Sequence, residues 1–287
     1  MLKFNKVTIV GVGLIGGSLA LSAHNKGIFK NIIGVGRNPE NLKKAKELNA
    51  IDDFTHNLEE GVRDAELVVI ATPVGEIAPT IKKILPMLKK GTIITDVGSV
   101  KGKIIRETDK LLLSEVFFVG SHPIAGTENS GVKAAFPELF EGRKCILTPS
   151  KKTNSSALEK VKQLWISVGS EVVFMDSDEH DQILGAVSHL PHMIAFALVN
   201  FLYDIKGQDE NIFKFSGGGL KDFTRIAASH PIMWENIALM NKNNLIPLID
   251  GFQKALENLK KLVKNEKTKE LVEQFQKARN IRRELIT

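Results

Sequence analysis

Cysteine is nearly missing from this chain: Cys145 stands alone among 287 residues. One thiol cannot close an internal disulfide, and it leaves no thiolate set for a structural zinc site. Cys145 lies in the apolar run Lys144-Cys145-Ile146-Leu147 and is expected to be a buried, inert thiol. A broad excess of one charge is also lacking. Lys and Arg number 39 against 33 Asp and Glu, a net +6, and residues 254–284 hold ten basic and five acidic residues of these. There the signs alternate around Leu256, Leu259 and Val263, as on the solvated face of amphipathic helices. No basic module interleaved with aromatics appears, so nucleic acid is not an expected partner. No low-complexity tract is present, and a hydrophobic share of 43% is enough for a core.

A clean membrane-spanning run is lacking as well. Residues 7–25 carry no formal charge, but Gly11, Gly13, Gly16, Gly17, Thr8, Ser18, Ser22, His24 and Asn25 interrupt them. No signal-peptide cleavage region is visible. The expectation is a protein of the cytoplasm with no membrane partner.

What is there begins with alternation. Short apolar runs at 4–10, 31–36, 66–71, 92–97, 116–120, 144–148 and 171–175 read as strands, several apolar at nearly every position like strands buried on both faces. Helical periods at 39–48, 74–88 and 156–168 lie between them. Strand alternating with helix predicts a doubly wound α/β domain with a parallel sheet. After Asp176 the strand signal stops. Ile183, Val187, Leu190, Ile194, Ala197 and Phe201 recur at helical spacing, and so do Leu245, Leu248, Phe252, Leu256, Leu259 and Val263. Pro191 is expected to kink the first of these helices. The predicted division is therefore residues 1–176, a dinucleotide-binding domain, and 177–287, an all-helical domain of the kind shared across a homodimer.

The first run leads into Gly11-Val12-Gly13-Leu14-Ile15-Gly16-Gly17-Ser18, a G-x-G-x-x-G between a strand and a helix. The first glycine permits the tight turn, the second lets backbone approach a pyrophosphate, and the third lets helix and strand pack closely. With a second strand about twenty residues on, this context makes Gly11, Gly13, Leu14, Ile15 and Gly16 cofactor-binding candidates in a Rossmann-type fold. The second strand ends in Gly36-Arg37-Asn38, without the acid that would bind a ribose 2′-hydroxyl. Arg37 favours the 2′-phosphate of NADP over NAD; stacking on adenine, with either cofactor used, is the competing reading. Thr72 and Pro73 close the next strand at the ligand crevice.

Two further strand ends carry polar groups, Asp96-Val97-Gly98-Ser99-Val100-Lys101 and Ser121-His122-Pro123-Ile124-Ala125-Gly126-Thr127-Glu128. His122, with Ser99 on the neighbouring strand end, is a candidate general base. In the helical half, Glu179-His180-Asp181, His189-Leu190-Pro191-His192 and Asp222-Phe223-Thr224-Arg225 stand out. Their spacing matches no recognised metal-ligand pattern, and no metal is expected. His189 and His192 share a helix face and suit polar contacts to a ligand. Arg225 sits in the apolar run 223–228, where it needs a buried partner; a substrate carboxylate would serve bidentately, and a bridge to Asp222 or Asp181 competes with that.

Together these strings resemble the prephenate/arogenate dehydrogenase family of tyrosine biosynthesis. The similarity runs through Gly11 to Ser18, Ala71-Thr72-Pro73, Asp96 to Lys101, Ser121-His122-Pro123 with Gly126 and Glu128, Ser188-His189-Leu190-Pro191-His192 and Asp222 to Arg225. The resemblance implies oxidative decarboxylation of prephenate to 4-hydroxyphenylpyruvate, or of arogenate to tyrosine. It implies His122 as the base on the 4-hydroxyl, oriented by Ser99. It further implies Arg225 on a substrate carboxylate, His192 and His189 completing the polar pocket, and Glu128 gating or tuning the histidine. The Gly36-Arg37 turn departs from the acid usual in the family. Two alternatives remain at this point: a dehydrogenase of a small hydroxy acid or imine, and a silent protein that senses NAD(P).

Overall fold

The computed structural model describes residues 2–111, 115–127, 129–205 and 212–284. It divides into two compact units, residues 1–241 and 242–287.

The first unit is built on an eight-stranded sheet: β1 (Val7–Val10), β2 (Ile32–Val35), β3 (Asp53–Thr55), β4 (Leu67–Ile70), β5 (Ile93–Asp96), β6 (Phe117–Pro123), β7 (Lys144–Thr148) and β8 (Glu171–Phe174). The spatial order is β3-β2-β1-β4-β5-β6-β7-β8. Strands β1 to β6 are parallel, whereas β7 runs against β6 and β8 follows β7. The fully parallel sheet read from the sequence thus holds for six strands. The reversal has a geometric reason: β6 pairs with β5 only through Val119, and from Gly120 to Pro123 its further residues pair with β7. Strand β3 was not expected; three residues starting at the exposed Asp53 carry too little periodicity to stand out.

Helices α1 (Leu14–Asn25), α2 (Pro39–Glu47), α3 (Leu58–Val62), α4 (Val74–Ile84), α5 (Gly102–Leu111) and α6 (Ser155–Ser167) cover the sheet. Alternate strand residues feed two separate cores. Ile9, Leu67, Val69 and Val119 join Leu19, Leu42, Leu164 and Trp165 on one side. On the other, Val10, Val68, Ile70, Ile94 and Phe118 join Val62, Ile77, Ile81 and Ile104. Strands so sandwiched are apolar throughout, which is why their sequence signal is a continuous run.

Four more helices, α7 (Ser177–Leu184), α8 (Leu190–Ile205), α9 (Gly218–Thr224) and α10 (Pro231–Met240), belong to this same unit. Between α7 and α8 lies one π-helical turn, Gly185–His189, immediately before Pro191. A proline cannot tolerate an α-helical carbonyl four residues back, and the wider turn relieves that crowding. The expected kink is therefore a π turn. Much of the expected apolar stripe of this segment faces outward: Val187 is 68% and Phe201 58% exposed, while the buried face carries His180, Asp181, Leu184, His189 and Ala195. By length and hydropathy the stretch 177–205 would suffice to cross a bilayer, but its buried face is occupied by polar side chains bonded to the sheet domain.

The second unit is a pair of helices, α11 (Lys242–Lys264) and α12 (Thr268–Glu284), joined through Glu266, which has φ +51°. Leu256, Val263, Val272, Phe275 and Ile281 are exposed on it.

Candidate active site

The carboxyl ends of β1, β4, β5 and β6 meet along one edge of the sheet. At the end of β1, Gly11 has φ +96°, and a Cβ there would lie 2.4 Å from the Ala71 carbonyl oxygen. A Cβ on Gly16 would lie 2.4 Å from the Gly11 carbonyl oxygen, whereas at Gly13 it would meet nothing within 4 Å. Packing thus demands the first and third glycines. The second faces open space at the start of α1, whose N-terminus has no side-chain cap and no acidic residue in its first turn. That is a cradle for a pyrophosphate, with free N–H groups and the positive end of the helix dipole. Beyond β4, Thr72 Oγ1 is buried with no hydrogen-bond partner among the described residues, and Pro73 opens α4. An open glycine cradle and an orphaned hydroxyl fit a nicotinamide dinucleotide.

Arg37 is exposed just past β2. Asn38 caps α2 by accepting from the Asn41 amide at 3.0 Å, and His56 Nδ1 donates to the Gly36 carbonyl at 2.8 Å.

The most connected part of the site is a buried network joining β5, β6, α5 and α7. Asp181 Oδ1 and Oδ2 accept from the amides of Lys101 and Gly102 at 2.7 and 2.8 Å, capping α5 from another helix. Asp181 Oδ1 also accepts from His180 Nδ1 at 2.9 Å, and His180 Nε2 lies 2.8 Å from His122 Nδ1. The carboxylate fixes the tautomers. An acceptor at His180 Nδ1 puts the proton there, leaving Nε2 to accept from His122 Nδ1–H. His122 is left with an unprotonated Nε2. Burial, followed by the neighbouring His180, Lys101 and His189, holds His122 well below the ordinary histidine range, so at neutral pH this nitrogen is a free base. Burial lowers His180 too, partly offset by Asp181.

Beneath His122, Lys101 Nζ donates to Asp96 Oδ2 and, at 2.9 Å, to the Ser121 carbonyl. Asp96 accepts from the Gly98 amide at 2.9 Å and the Ser121 amide at 3.1 Å. Ser99 lies in the short loop between Asp96 and Lys101, half-buried.

On the helical side, Asn241 Nδ2 donates to the Asp181 carbonyl at 2.8 Å and to His189 Nδ1 at 3.0 Å. An acceptor at Nδ1 leaves the His189 proton on Nε2, a buried donor that faces the Ser99 backbone carbonyl. Burial pushes His189 down to about 4, so it is neutral. His192 stacks on Trp234 of α10 at 3.7 Å and 22°, and its Nδ1 donates to the Ser188 carbonyl at 3.0 Å. Burial lowers His192 as well, and the Arg225 charge adds to that.

The structure thus brings His122, His189 and His192 around one region. Arg225 follows α9 near His192 and is exposed, as is Phe223. Glu128 lies outside the described residues. From the sequence His180 carries no role and Asp181 only that of a bridge to Arg225, whereas Asp181 in fact holds the amides of Lys101 and Gly102 and the His180 ring; Lys101, Trp234 and Asn241 carry no role there either. Apart from the Lys101 ammonium, their partners across the site lie 42 to 80 residues away, beyond any local spacing rule; the acidic-His-acidic string at a helix start is the one available signal. Among the described residues no cluster of His, Cys, Asp or Glu is arranged to hold a metal ion.

The comparisons agree with this geometry. Residues 19–174 match the family described as prephenate dehydrogenase, nucleotide-binding domain, and 176–277 match prephenate dehydrogenase, dimerization domain. A crystal structure of prephenate dehydrogenase from Aquifex aeolicus, in complex with hydroxyphenyl propionate and NAD+, superposes with a TM-score of 0.92 at 43% identity, covering 99% of each chain. The prephenate dehydrogenase of Bacillus subtilis is 36% identical over 96% of this chain and 75% of its own length. The cyclohexadienyl dehydrogenase of Zymomonas mobilis is 34% identical over 100% of this chain and 98% of its own. A two-part match across nearly the whole sequence, on a fold with a dinucleotide cradle beside a buried base, shows an oxidoreductase, and the chain belongs to the prephenate dehydrogenase family.

Proposed function

We propose that this protein oxidises and decarboxylates prephenate to 4-hydroxyphenylpyruvate in the cytoplasm, with His122 as the base. The observation that carries the assignment of roles is the His122–His180–Asp181 chain, which leaves a neutral Nε2 at a strand end beside the cofactor cradle. When bound in the cradle of Gly11, Gly13, Gly16 and Thr72, a nicotinamide would supply the hydride acceptor. His122 Nε2 takes the 4-hydroxyl proton as the C4 hydride departs, leaving a carbonyl at C4. The bond from C1 to its carboxylate then breaks, carbon dioxide leaves, and the electron pair aromatises the ring to a phenolate. His122 returns its proton to that phenolate, so no net proton is consumed. The imidazolium formed between these steps is stabilised through His180 toward Asp181. Ser99 orients the 4-hydroxyl. The neutral Nε2–H of His189 suits a substrate oxygen, and His192 and the exposed Arg225 suit a carboxylate, with Glu128 a gating group.

The Gly36-Arg37 turn supports NADP as the better cofactor, because the charge favours a 2′-phosphate and no acid opposes it. The Aquifex relative holds NAD+, so NAD use is the competing outcome. The outward apolar faces of α8 and α10 to α12, and the match to a dimerization domain, support a homodimer built through residues 177–287 as the functional second domain. Arogenate is the second reading, favoured by the relative named for cyclohexadienyl substrates. Nicotinamide reduction and carbon dioxide release, measured with prephenate and arogenate against NAD and NADP, test all of this. Reduction without stoichiometric carbon dioxide would overturn the reaction, and a strong preference for NAD would overturn the role of Arg37.

A further inference from the structure

We propose that the buried Lys101–Asp96 pair is a positioning device that sets both the place and the charge state of His122. The inference rests on the reading of His122 as the base. Lys101 and Asp96 are fully buried, and their hydrogen bonds converge on Ser121, the residue before His122. Asp96 Oδ1 takes the Ser121 amide, Lys101 Nζ takes its carbonyl, and Ser121 Oγ donates to the Asp96 carbonyl. Every polar group of Ser121 is thereby tied to β5 or to the start of α5. The other carboxylate oxygen of Asp96 accepts the Gly98 amide, which shapes the loop that carries Ser99. One ion pair therefore sets the relative position of the two strand ends from which Ser99 and His122 act.

The pair is also joined to the proton chain. The Lys101 backbone amide is one of the two held by Asp181, and Asp181 orients His180. A shift of Lys101 would move the α5 start and with it the carboxylate that dictates the tautomers. Packing alone would be served by an apolar pair of equal volume, but such a pair would leave the Ser121 amide and carbonyl unbonded. A charged pair here does something an apolar one cannot: the ammonium disfavours a second positive charge at His122.

The titratable groups around His122 are Asp96 on β5, Lys101 before α5, Cys145 on β7, His180 and Asp181 on α7, and His189 in the π turn. His180 and His189 are held neutral by burial, and the Cys145 thiol is pushed up by it. Asp181 is screened from His122 by the His180 ring between them. Burial lowers Lys101 itself, and the Asp96 carboxylate opposes that and holds it as an ammonium; after burial and His180, it is this cation that lowers His122.

Two variants separate place from charge. In Asp96→Asn/Lys101→Gln both charges go while donors and acceptors of similar size remain. The acid limb of kcat/KM should move to higher pH by about half a unit or more, since the ammonium that disfavours protonation of His122 is gone and the carboxylate lost with it is not among the groups acting on that ring. In Lys101→Met the Ser121 carbonyl and Asp96 lose their partner. Plateau kcat should fall ~10- to 100-fold, the scale of a small misplacement of a reacting group, while the dissociation constant of the cofactor stays within about twofold of wild type. If Lys101→Met does not fold, the neutral pair carries the test alone. An unmoved acid limb in the neutral pair, or an unchanged plateau in folded Lys101→Met, overturns the inference. A wild-type enzyme with no acid limb at all overturns the assignment of His122 instead, so the two failures are distinguishable.

Discussion

Asp181 uses two oxygens for three donors, two amides of the α5 start and one ring of the proton chain. Its replacement should therefore fail in two ways at once. Asp181→Asn keeps one acceptor and introduces a donor facing a backbone N–H, so stability should drop by about 1–3 kcal/mol, the cost of a buried unsatisfied group, and kcat should drop with it. Thermal melting and turnover on one preparation check this; a normal melting temperature would show that the α5 start finds another acceptor. His122→Asn should lower kcat by at least ~10²-fold and leave cofactor affinity intact, as loss of a general base does. The pH profile carries a sign. His122 is lowered by burial, so the enzyme should hold its activity down into mildly acidic pH and lose it as the ring finally protonates. Activity still climbing steeply above neutrality would contradict a base of depressed pKa. His122 was legible in the sequence because a polar residue closes an apolar run; its tautomer was not, because the carboxylate that fixes it lies 59 positions on.

The helix α8 shows what periodicity can and cannot say. Spacings of three and four picked out Val187, Ala197 and Phe201 correctly as one face, yet in the folded chain that face points outward, and the polar face is the one that packs. Periodicity identifies the apolar side of a helix but not which partner covers it. The proposed homodimer would cover this face, so Phe201→Asp should convert it to a monomer in sedimentation or light scattering. A variant that remains dimeric would move the interface elsewhere. The π turn before Pro191 adds one residue to the helix, which rotates everything after it by about 100° relative to a regular helix. Pro191→Ala removes the crowding that the wide turn relieves. If the segment then relaxes to a regular helix, His189 and His192 change their relative orientation, and KM for substrate should rise while the melting temperature holds or increases. An unchanged KM would mean that the turn is fixed by its other contacts. Strands β1, β2 and β4 to β7 are legible because burial makes each largely a continuous apolar run, and β8 because Val172, Val173 and Phe174 are strong strand formers even at an edge; β3 is not, being short, edge-placed and polar at its start.

Across the whole molecule, buried neutral histidines tie stability to acidity. His189 is held at about 4, against roughly 6.5 for a free imidazole. The unfolded chain therefore binds its proton first, and this part of the stability is complete above about pH 6.5 and lost as pH falls toward 4. His122 and His180 are depressed in the same direction and add to the slope, each by up to about 1.4 kcal/mol per pH unit. Urea midpoints between pH 7 and 4.5 should decline steeply, and His189→Gln should flatten the curve; parallel curves for the two proteins would assign the acid sensitivity to other groups. The reversal of the sheet at β6 has a different kind of outcome. Gly120 to Pro123 are paired residue for residue with β7, from Thr148 back to Cys145. His122 is thus woven into a ladder and does not hang from a loop, and residues on strands hold their geometry more tightly than those on connections. In each turnover the base is the stationary part. The parts that swing to admit a substrate and let an aromatic product escape are expected elsewhere, at the proposed gating Glu128 or among the helices after Phe174, so changes in turnover speed are expected to map there, and changes in the chemistry itself to map to the sheet.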